Sequence, residues 1–345
     1  MKKNVNIVLC GLGGVGRAFL ESLKDRKGLV EDEYGLSLIL KAAVDIGGAA
    51  IAPKENGIDP GELLTHLKEG RPVETFAHGG RPGLSGEQTL LEIEADVLVE
   101  ATPTNLIDGV PGTTHIITAL KQKMDVVSAN KGPLVLYYRK LHDLAEANGC
   151  ALHISAATAA ALPTLDVGSI CLAGTRLISA EGILNGTTNY ILTRMQHQGC
   201  DYESALKEAQ EMGIAETDPT YDVEGKDTAN KIILIANRLF KTDFGPSDIE
   251  VQGITRIRPE DIRKAEDKNR IIKLIGTVER AGDAVRIGVA PKLLERDHPL
   301  ASVNGSEKAV SYLTDSMDRI TVMGGKSSTA GAAAALLKDL INAFA

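Results

Sequence analysis

Apolar residues in the first half of this chain occur in two patterns, and each pattern predicts a different kind of secondary structure. Short apolar runs, typical of buried parallel strands, occur at 5–10, 36–44, 96–100 and 126–129. Apolar residues at helical spacing follow at 17–24, 61–68 and 135–148. The first half of the chain therefore predicts a parallel sheet flanked by helices.

The second half of the chain shows a different pattern. Apolar and polar residues alternate through 249–257 and 271–292, with a turn at 281–283, and a strand-like pattern broken by Asn185 and Gly186 covers 177–192. This half predicts a largely antiparallel sheet with helices on one side, an α+β domain.

Composition is that of a globular, two-domain protein of 345 residues, 43% of them hydrophobic. The net charge of −8, without a basic run, argues against nucleic acid as a partner. No charged leader precedes the first strand and no run of 18 or more apolar residues occurs, so we expect a cytoplasmic protein without a membrane partner. The four cysteines lack metal-type spacing and are predicted to be buried, reduced thiols.

The first apolar run leads directly into GLGGVG and a helical pattern, so Gly11, Gly13 and Gly16 form a strand–GxGxxG–helix unit. Gly11 permits a tight turn, Gly13 lets the backbone approach a pyrophosphate, and Gly16 allows close helix packing. A simple tight turn is the alternative. The context favours a dinucleotide site, with cofactor-binding residues Gly11, Leu12, Gly13, Gly14, Val15 and Gly16.

The second predicted strand ends in Asp45, where a carboxylate can accept hydrogen bonds from the ribose hydroxyls of NAD. The spacing from the glycines is longer than usual, and residues 28–35 are predicted to form the extended loop that accounts for it. Asp45 could instead cap the turn that follows. No arginine follows Asp45 to receive a 2′-phosphate, which weakly favours NAD, whereas the nearby Lys54 leaves NADP open.

Further polar residues follow the later strands of the predicted sheet. Ala101 and Thr102 come after one strand and are predicted to lie under the cofactor, and Lys131 follows the next strand at the same sheet edge. Residues 46–92 are rich in Gly and Pro and are predicted to decorate the edge of the sheet. The two histidines within them are predicted to be surface residues, His66 and His78.

The stretch from 209 to 231, AQEMGIAETDPTYDVEGKDTANK, concentrates acidic residues and turn formers between two helical patterns. Gly213 is placed to end the first helix. In the second helix, Asp227 and Lys231 lie one turn apart, opposite the apolar face. That polar face suits either water or a cleft in which loop carboxylates hold an ammonium group while Asp227 and Lys231 act on a neighbouring oxygen.

This stretch resembles the signature of the homoserine dehydrogenase family. Its fixed positions are satisfied by Ala209, Gly213, Asp218, Pro219, Asp222, Gly225, Asp227 and Lys231. The resemblance implies reversible hydride transfer between NAD(P)H and the aldehyde carbon of L-aspartate 4-semialdehyde, giving L-homoserine in threonine and methionine synthesis. It also implies a homodimer, and a short form of the family without the C-terminal amino-acid-sensing domain of some relatives.

The resemblance suggests a role for each matching side chain. Lys231, fixed by Asp227, is expected to donate a proton to the substrate oxygen, and Lys131 in SANKGPL to help polarise that oxygen. The reverse assignment of the two lysines stays open. Glu216 and Asp222 are expected to hold the α-amino group of the substrate.

Three further segments are compared with the family. Gly186 and Thr187 match the segment that meets the amino-acid end of the substrate. The C-terminal helix is expected to return to the nucleotide domain and to bring Gly325 close to the cofactor. Many relatives have a glutamate and a glycine-rich run, associated with a monovalent cation, where this chain has Ser155 and SAATAAALP. Backbone carbonyls could still bind an ion there, but we assign no metal ligand.

We therefore predict an α/β fold: a Rossmann-type parallel-sheet domain at 1–152, an α+β substrate-binding and dimerisation domain at 153–322, and a segment at 323–345 that returns to the first domain. The active site is expected in the crevice between the two domains. A phosphorylating semialdehyde dehydrogenase is a rival reading, but it needs a nucleophilic cysteine beside a base. A second alternative is a regulator that binds NAD without catalysing a reaction. Such a protein would not need all of the ionisable residues assigned above, which are Lys131, Glu216, Asp222, Asp227 and Lys231.

Overall fold

The computed structural model describes residues 2–53, 56–325 and 327–345. The chain divides into two compact units, of which the first comprises Met1–Ala160 and Ser328–Ala345 and the second comprises Ala161–Ser327. The boundaries between the two units lie after residues 160 and 327, whereas the domain boundaries predicted from the sequence lie after residues 152 and 322. In the described residues no helix is both long and apolar enough to cross a membrane.

The secondary structure of the described residues comprises thirteen strands and fifteen α-helices. The strands are β1 (Lys3–Cys10), β2 (Leu36–Asp45), β3 (Gly48–Ile51), β4 (Gly80–Pro82), β5 (Val97–Glu100), β6 (Asp125–Ser128), β7 (Leu152–His153), β8 (Leu177–Ile183), β9 (Glu250–Val251), β10 (Arg270–Ala281), β11 (Ala284–Glu295), β12 (Lys308–Thr314) and β13 (Arg319–Gly324). The helices are α1 (Gly14–Asp25), α2 (Lys27–Tyr34), α3 (Pro60–Lys68), α4 (Gly86–Glu92), α5 (Gly112–Lys121), α6 (Lys131–Leu136), α7 (Tyr138–Asn148), α8 (Ser155–Ala159), α9 (Thr164–Asp166), α10 (Gly186–Gln198), α11 (Tyr202–Glu211), α12 (Thr220–Val223), α13 (Lys226–Phe240), α14 (Pro259–Asp267) and α15 (Thr329–Phe344).

The first unit is built on a seven-stranded sheet in the order β4-β3-β2-β1-β5-β6-β7. Strands β2, β1, β5, β6 and β7 are parallel, and β3 and β4 add an antiparallel edge. The chain passes from β1 to one side at β2 and returns to the other side at β5. The boundary between β1 and β5 is therefore a topological switch point, where open α/β sheets bind their ligands at the carboxyl ends of the strands.

The core of the first unit packs the sheet against α1, α3 and α15. Its central residues, Leu9, Phe19, Leu63 and Leu336, are fully buried. The C-terminal helix α15 packs against α1, and Gly14 makes this possible because a Cβ there would lie 2.9 Å from the Thr329 side chain.

Two predictions for the first unit are wrong. Residues 28–35 are not an extended loop, since α2 spans Lys27–Tyr34 and ends at Gly35, whose φ of +67° is left-handed. Val30 is its only buried side chain, so the helix has little apolar periodicity to detect. His66 is not on the surface, since only 3% of the residue is exposed. Its Nε2 lies 2.9 Å from the Pro72 carbonyl oxygen, which gives the buried imidazole a hydrogen-bond partner.

The second unit contains a six-stranded sheet in the order β13-β12-β8-β10-β11-β9, antiparallel except for the β11–β9 pair. The long hairpin β10–β11 agrees with the alternation at 271–292. The strand predicted at 249–257 is wrong, since β9 contains only Glu250 and Val251. The strand-like pattern at 177–192 ends at Ile183, and α10 begins three residues later because the Asn185 side chain caps it.

Helix α13 packs its apolar side on β10 and β11. Ile232, Ile233 and Ala236 are fully buried there, and a Cβ on Gly276 of β10 would lie 3.0 Å from the Thr228 side chain. Glycine at 276 lets the helix approach the sheet closely, which fixes the helical face that carries Asp227.

The cysteines differ from their predicted burial. All four are free thiols, but only Cys10, in β1, is buried. Cys150 and Cys200 are half-buried, and Cys171 is exposed.

Candidate active site

The glycine-rich loop lies between β1 and α1. Gly11 has a φ of +96°, and a Cβ there would lie 2.5 Å from the Thr102 backbone nitrogen. A Cβ on Gly16 would lie 1.9 Å from the Gly11 carbonyl oxygen, so only glycine fits either position. A Cβ on Gly13, by contrast, would meet no atom of a described residue beyond its chain neighbours within 4 Å. The loop therefore offers an open backbone at the N-terminus of α1, as a pyrophosphate requires.

The remaining loop residues hold this shape. Leu12 is buried, and its carbonyl oxygen accepts a hydrogen bond from Arg17 Nε at 2.9 Å. Gly14 is the first residue of α1, and Val15 packs against the core of the unit. The loop is thus anchored on its protein side by groups that do not compete for a phosphate.

Asp45 and Ala101 lie at the strand ends beside the loop. Asp45 is exposed at the end of β2, and its Oδ1 accepts from the Ile46 backbone nitrogen at 3.0 Å. Both predicted roles of Asp45 fit this geometry, because the carboxylate can cap the turn through one oxygen and accept a hydrogen bond from a ribose hydroxyl through the other. Ala101 continues from β5 and donates to the Cys10 carbonyl oxygen at 2.8 Å. Lys54, the residue that left NADP open, lies outside the described residues.

A buried carboxylate lies under the same edge of the sheet. Glu100, the last residue of β5, is fully buried, and its Oε2 lies 2.8 Å from His115 Nδ1. Its Oε1 accepts from the backbone nitrogen of Thr102 at 2.8 Å and also from the Thr102 hydroxyl. Burial raises the pKa of the Cys10 thiol well above its usual value, and the Glu100 charge raises it further. Neither Glu100 nor His115 was among the predicted site residues; an acid at the end of an apolar strand was the available signal.

Asn130 connects this carboxylate to Lys131. Asn130 Nδ2 donates to the Thr102 hydroxyl at 2.9 Å and lies 3.4 Å from Glu100 Oε1. Its Oδ1 accepts from the Gly132 backbone nitrogen at 3.1 Å, which caps α6. Lys131 is the half-buried first residue of that helix. The network holds the loops after β5 and β6 in one arrangement and so fixes the backbone of Lys131.

The second unit contains the Asp227–Lys231 pair on α13. Lys231 Nζ lies 2.5 Å from Asp227 Oδ2 and donates to the Leu184 carbonyl oxygen at 2.8 Å. Asn185 Nδ2 donates to Asp227 Oδ2 at 2.9 Å and to Asp222 Oδ1 at 2.8 Å. Asp227 and Lys231 are only 5% and 9% exposed, so the solvated alternative is wrong. Asn185, seen in sequence only as a break in a strand, is the residue that joins the two carboxylates.

Tyr221 lies beside this pair. Its hydroxyl is hydrogen-bonded to Asn230 Nδ2. Burial raises the pKa of Tyr221, and the nearby charge of Asp227 raises it further, so the phenol stays neutral at ordinary pH.

The predicted substrate residues lie on neighbouring elements of the second unit. Gly186 and Thr187 begin α10, and the Thr187 hydroxyl donates to the Ile214 carbonyl oxygen at 3.1 Å. Glu216 is exposed in the loop between α11 and α12, and its carboxylate makes no hydrogen bond with a described residue. Asp222 is half-buried in α12, and the Asn185 side chain connects it to Asp227 by donating a hydrogen bond to each carboxylate. Among the described residues, Glu216 is not part of this hydrogen-bond network.

Gly325 follows β13 within the second unit, with a φ of +70°. A Cβ there would lie 3.2 Å from the Leu162 backbone nitrogen. Its neighbour Lys326, in the MGGKSSTAG segment, is outside the described residues.

The residues present do not fit the monovalent cation that the family resemblance implies near Ser155. The Lys338 ammonium lies 3.0 Å from Ser155 Oγ and 2.7 Å from Asp339 Oδ1. A positive side chain thus contacts Ser155, the residue that stands in this sequence where the family resemblance has a glutamate, and no catalytic step is assigned to a cation here.

The folds and side chains of the two units define a class of protein. The first unit has a Rossmann-type sheet with a glycine loop shaped for a dinucleotide at its switch point. The second holds a buried lysine–aspartate pair beside another carboxylate. These features are typical of an NAD(P)-dependent oxidoreductase with a polar substrate.

Comparison with known families agrees with that class. The family model described as homoserine dehydrogenase matches residues 163–341, and the model described as homoserine dehydrogenase, NAD binding domain, matches residues 11–155. The chain belongs to the homoserine dehydrogenase family. The fold class, family and enzyme class predicted from the sequence are confirmed.

Individual relatives are similar over their whole length. The chain is 38% identical to a homoserine dehydrogenase of Methanocaldococcus jannaschii, covering 99% of this chain and 98% of the relative. It is 34% identical to an NAD(+)-dependent homoserine dehydrogenase of Pseudomonas canavaninivorans, covering 97% and 95%. A putative homoserine dehydrogenase from Archaeoglobus fulgidus has a TM-score of 0.87 at 34% identity, with 99% of both chains covered. A hyperthermophilic archaeal homoserine dehydrogenase mutant in complex with NADPH has a TM-score of 0.84 at 25% identity, covering 99% and 97%.

Proposed function

We propose that this chain catalyses the reversible reduction of L-aspartate 4-semialdehyde to L-homoserine, a step towards threonine and methionine. The observation that carries the proposal is the buried Lys231–Asp227 pair, held by Asn185. When bound, the nicotinamide coenzyme supplies the hydride or accepts it. The glycine loop from Gly11 to Gly16 binds the coenzyme pyrophosphate, and Ala101, Thr102 and Gly325 contribute to its site.

Lys231 is the residue to which we assign proton transfer. Two of the three N–H groups of its ammonium are directed at Asp227 and at the Leu184 carbonyl, and no described residue takes the third. That third N–H donates to the carbonyl oxygen, which gains charge as the hydride arrives at the carbon. In the oxidation of homoserine, the neutral amine takes the proton of the substrate hydroxyl. Lys131 adds positive charge near the same oxygen.

The amino-acid end of the substrate is held by polar groups of the second unit. Asp222 has one carboxylate oxygen on Asn185 and its other oxygen free of described partners, so it can accept from the substrate ammonium. Glu216 adds a second carboxylate for the same ammonium. Gly186 and Thr187, at the N-terminus of α10, can donate their backbone N–H groups to the α-carboxylate at the same end of the substrate, because a helix N-terminus carries partial positive charge.

The coenzyme preference, the oligomer and the location belong to the same proposal. We infer a weak preference for NAD over NADP, since the carboxylate of Asp45 would repel a 2′-phosphate. The named relatives support use of either coenzyme, since one is described as NAD(+)-dependent and another is in complex with NADPH. We also infer a homodimer built on the second sheet and a cytoplasmic location, where both coenzymes and amino-acid precursors are available.

The test is to incubate the purified protein with L-homoserine and with NAD or NADP in turn, and to follow the absorbance of the reduced coenzyme. We expect reduction with both coenzymes, and faster reduction with NAD. D-Homoserine is the matched control, because it presents the same hydroxyl but misplaces the ammonium relative to Asp222. No reduced coenzyme with either would remove the proposal, and equal rates with the D form would remove the assignment of Asp222.

A further inference from the structure

The C-terminal helix α15 brings a lysine to the start of α8. Lys338 Nζ donates to Ser155 Oγ at 3.0 Å and lies 2.7 Å from Asp339 Oδ1. Asp339 Oδ2 accepts from the Ser155 backbone nitrogen at 3.1 Å. Ser155 and Asp339 are 7% and 3% exposed, whereas the Lys338 side chain is 34% exposed, so a half-buried lysine contacts two buried residues of the first unit.

The charges of this cluster oppose the binding of Na+ or K+. The Lys338 ammonium balances the Asp339 carboxylate, and each carboxylate oxygen already accepts a hydrogen bond or a charge contact. A metal ion that used Ser155 Oγ would lie within about 5 Å of the ammonium, and the repulsion would cost about 3 kcal/mol at an effective dielectric constant near 20. Hard cations need several oxygen ligands that are free to coordinate, whereas Ser155 Oγ and both carboxylate oxygens of Asp339 already have partners.

The ammonium has the two structural effects expected of a bound cation: it connects separate segments of the chain and it neutralises negative charge. It joins the first residue of α8 to a residue of α15 that lies 183 positions later, and it neutralises the buried carboxylate of Asp339. A lysine supplies the same charge as Na+ or K+ but is covalently attached, so no binding equilibrium is needed.

We propose that the Lys338 ammonium replaces the monovalent cation in this chain, and that neither Na+ nor K+ is needed for its stability or turnover. The part of this proposal that concerns turnover rests on the proposed function. The part that concerns stability does not, because it can be measured without substrate.

The first experiment uses the full-length wild-type protein, exchanged into choline chloride. The midpoint of thermal unfolding and the rate of L-homoserine oxidation are measured while NaCl or KCl replaces choline chloride at constant ionic strength. We expect neither quantity to change beyond experimental error. A saturable rise in either one with Na+ or K+ would overturn the proposal. Absence of activity in every salt, with a constant midpoint, would instead count against the proposed function alone.

The second experiment compares Lys338→Met with Lys121→Met, which removes an exposed lysine of α5 in the same unit. Lys338→Met leaves Asp339 buried beside a free Ser155 Oγ. We expect a lower unfolding midpoint in choline chloride and a saturable recovery with Na+ or K+, whereas Lys121→Met should respond like the wild type. A Lys338→Met protein whose midpoint falls but ignores both ions would show that the ammonium does not stand in for a cation. If Lys338→Met does not fold, Lys338→Gln is measured in the same way.

Discussion

Lys231 Nζ and Asp227 Oδ2 lie 2.5 Å apart, one helical turn along α13, and both side chains are buried. The exposed pair Lys207–Glu211 has the same spacing in α11 but is 3.9 Å apart. An exposed pair of this kind contributes a few tenths of a kcal/mol, whereas burying two charges costs solvation that their attraction barely offsets. The contribution of the buried pair to stability therefore explains it poorly, which supports the proposal that Lys231 transfers a proton.

Replacement of Lys231 by Met should greatly slow the chemical step, because it removes the group that we propose exchanges a proton with the substrate oxygen. We expect kcat to fall about 10²- to 10⁴-fold, the usual contribution of a general acid or base. The measurement is the single-turnover rate with L-homoserine at saturating coenzyme. Lys226→Met, an exposed lysine at the start of α13, is the control and should keep the wild-type rate. If Lys131→Met loses the chemical step and Lys231→Met keeps it, the roles of the two lysines are reversed.

Asn185 should control substrate affinity, because its amide donates to both Asp222 and Asp227. Its carbonyl oxygen separately caps α10 through the Thr188 backbone nitrogen at 2.9 Å. Asn185→Asp keeps that acceptor but sets a third negative charge beside two carboxylates, whereas Asn185→Ala also loses the cap, which costs about 1 kcal/mol. We expect both variants to raise KM for L-homoserine. Only the Ala variant tests the cap; if the Asp variant keeps the wild-type KM, Asn185 serves the helix and not the substrate.

Local patterns predicted part of this site, and long-range contacts supplied the rest. The glycine loop and the Asp227–Lys231 pair are visible in sequence because their residues are at most five positions apart. The bonds of Glu100 to His115 and of Lys338 to Ser155 span 15 and 183 positions, so no local period marks them. Asn185 was seen only as a strand break, because the apolar residues on either side of it continue one pattern through a strand and a buried helix.

Removal of the Asp45 carboxylate should shift the coenzyme preference towards NADP, since that carboxylate lies at the ribose end of the predicted dinucleotide site. We expect Asp45→Ser to raise the ratio of kcat/KM for NADP to that for NAD by about tenfold, which corresponds to about 1.4 kcal/mol. The two ratios come from initial rates with L-homoserine. Asp32→Ser, at an exposed position of α2, should leave the ratio unchanged. An unchanged ratio in Asp45→Ser would mean that the carboxylate only caps its turn.

Glu100→Gln tests whether the buried carboxylate positions the coenzyme loop. The amide oxygen can still accept from the Thr102 backbone, but the bond to His115 loses its charge and part of its strength. We expect the Kd for NADH to rise, measured by fluorescence titration well below the unfolding temperature. Glu87→Gln, an exposed acid of α4, should not alter it. Lower stability of Glu100→Gln with an unchanged Kd would assign Glu100 to folding alone.

Lys273 should make the stability of this protein rise with pH in the alkaline range. Lys273, in β10, is 1% exposed, and the partners of its ammonium among the described residues are neutral oxygens: Asn189 Oδ1 at 3.0 Å, the Val303 carbonyl oxygen at 2.5 Å and Asn304 Oδ1 at 3.5 Å. Burial lowers the pKa of Lys273 from 10.5 to about 8. Between these two values the unfolded chain binds more protons than the folded chain, so the free energy of unfolding increases with pH there. Below about pH 8 the lysine is charged in both states, and the cost of burying that charge is present in full.

This contribution can be isolated by comparing the wild type with Lys273→Met. The wild-type free energy of unfolding, relative to that of the variant, should increase by about 2 kcal/mol from about pH 7.5 to about pH 9.5. Urea unfolding at several pH values measures it. Lys292→Met removes the exposed lysine paired with Lys273 across the β10–β11 hairpin and should show no such pH-dependent difference. If the wild type and Lys273→Met differ by a constant amount at every pH, then Lys273 keeps one charge state in the folded and unfolded chains, and its three neutral acceptors hold the ammonium as well as water does.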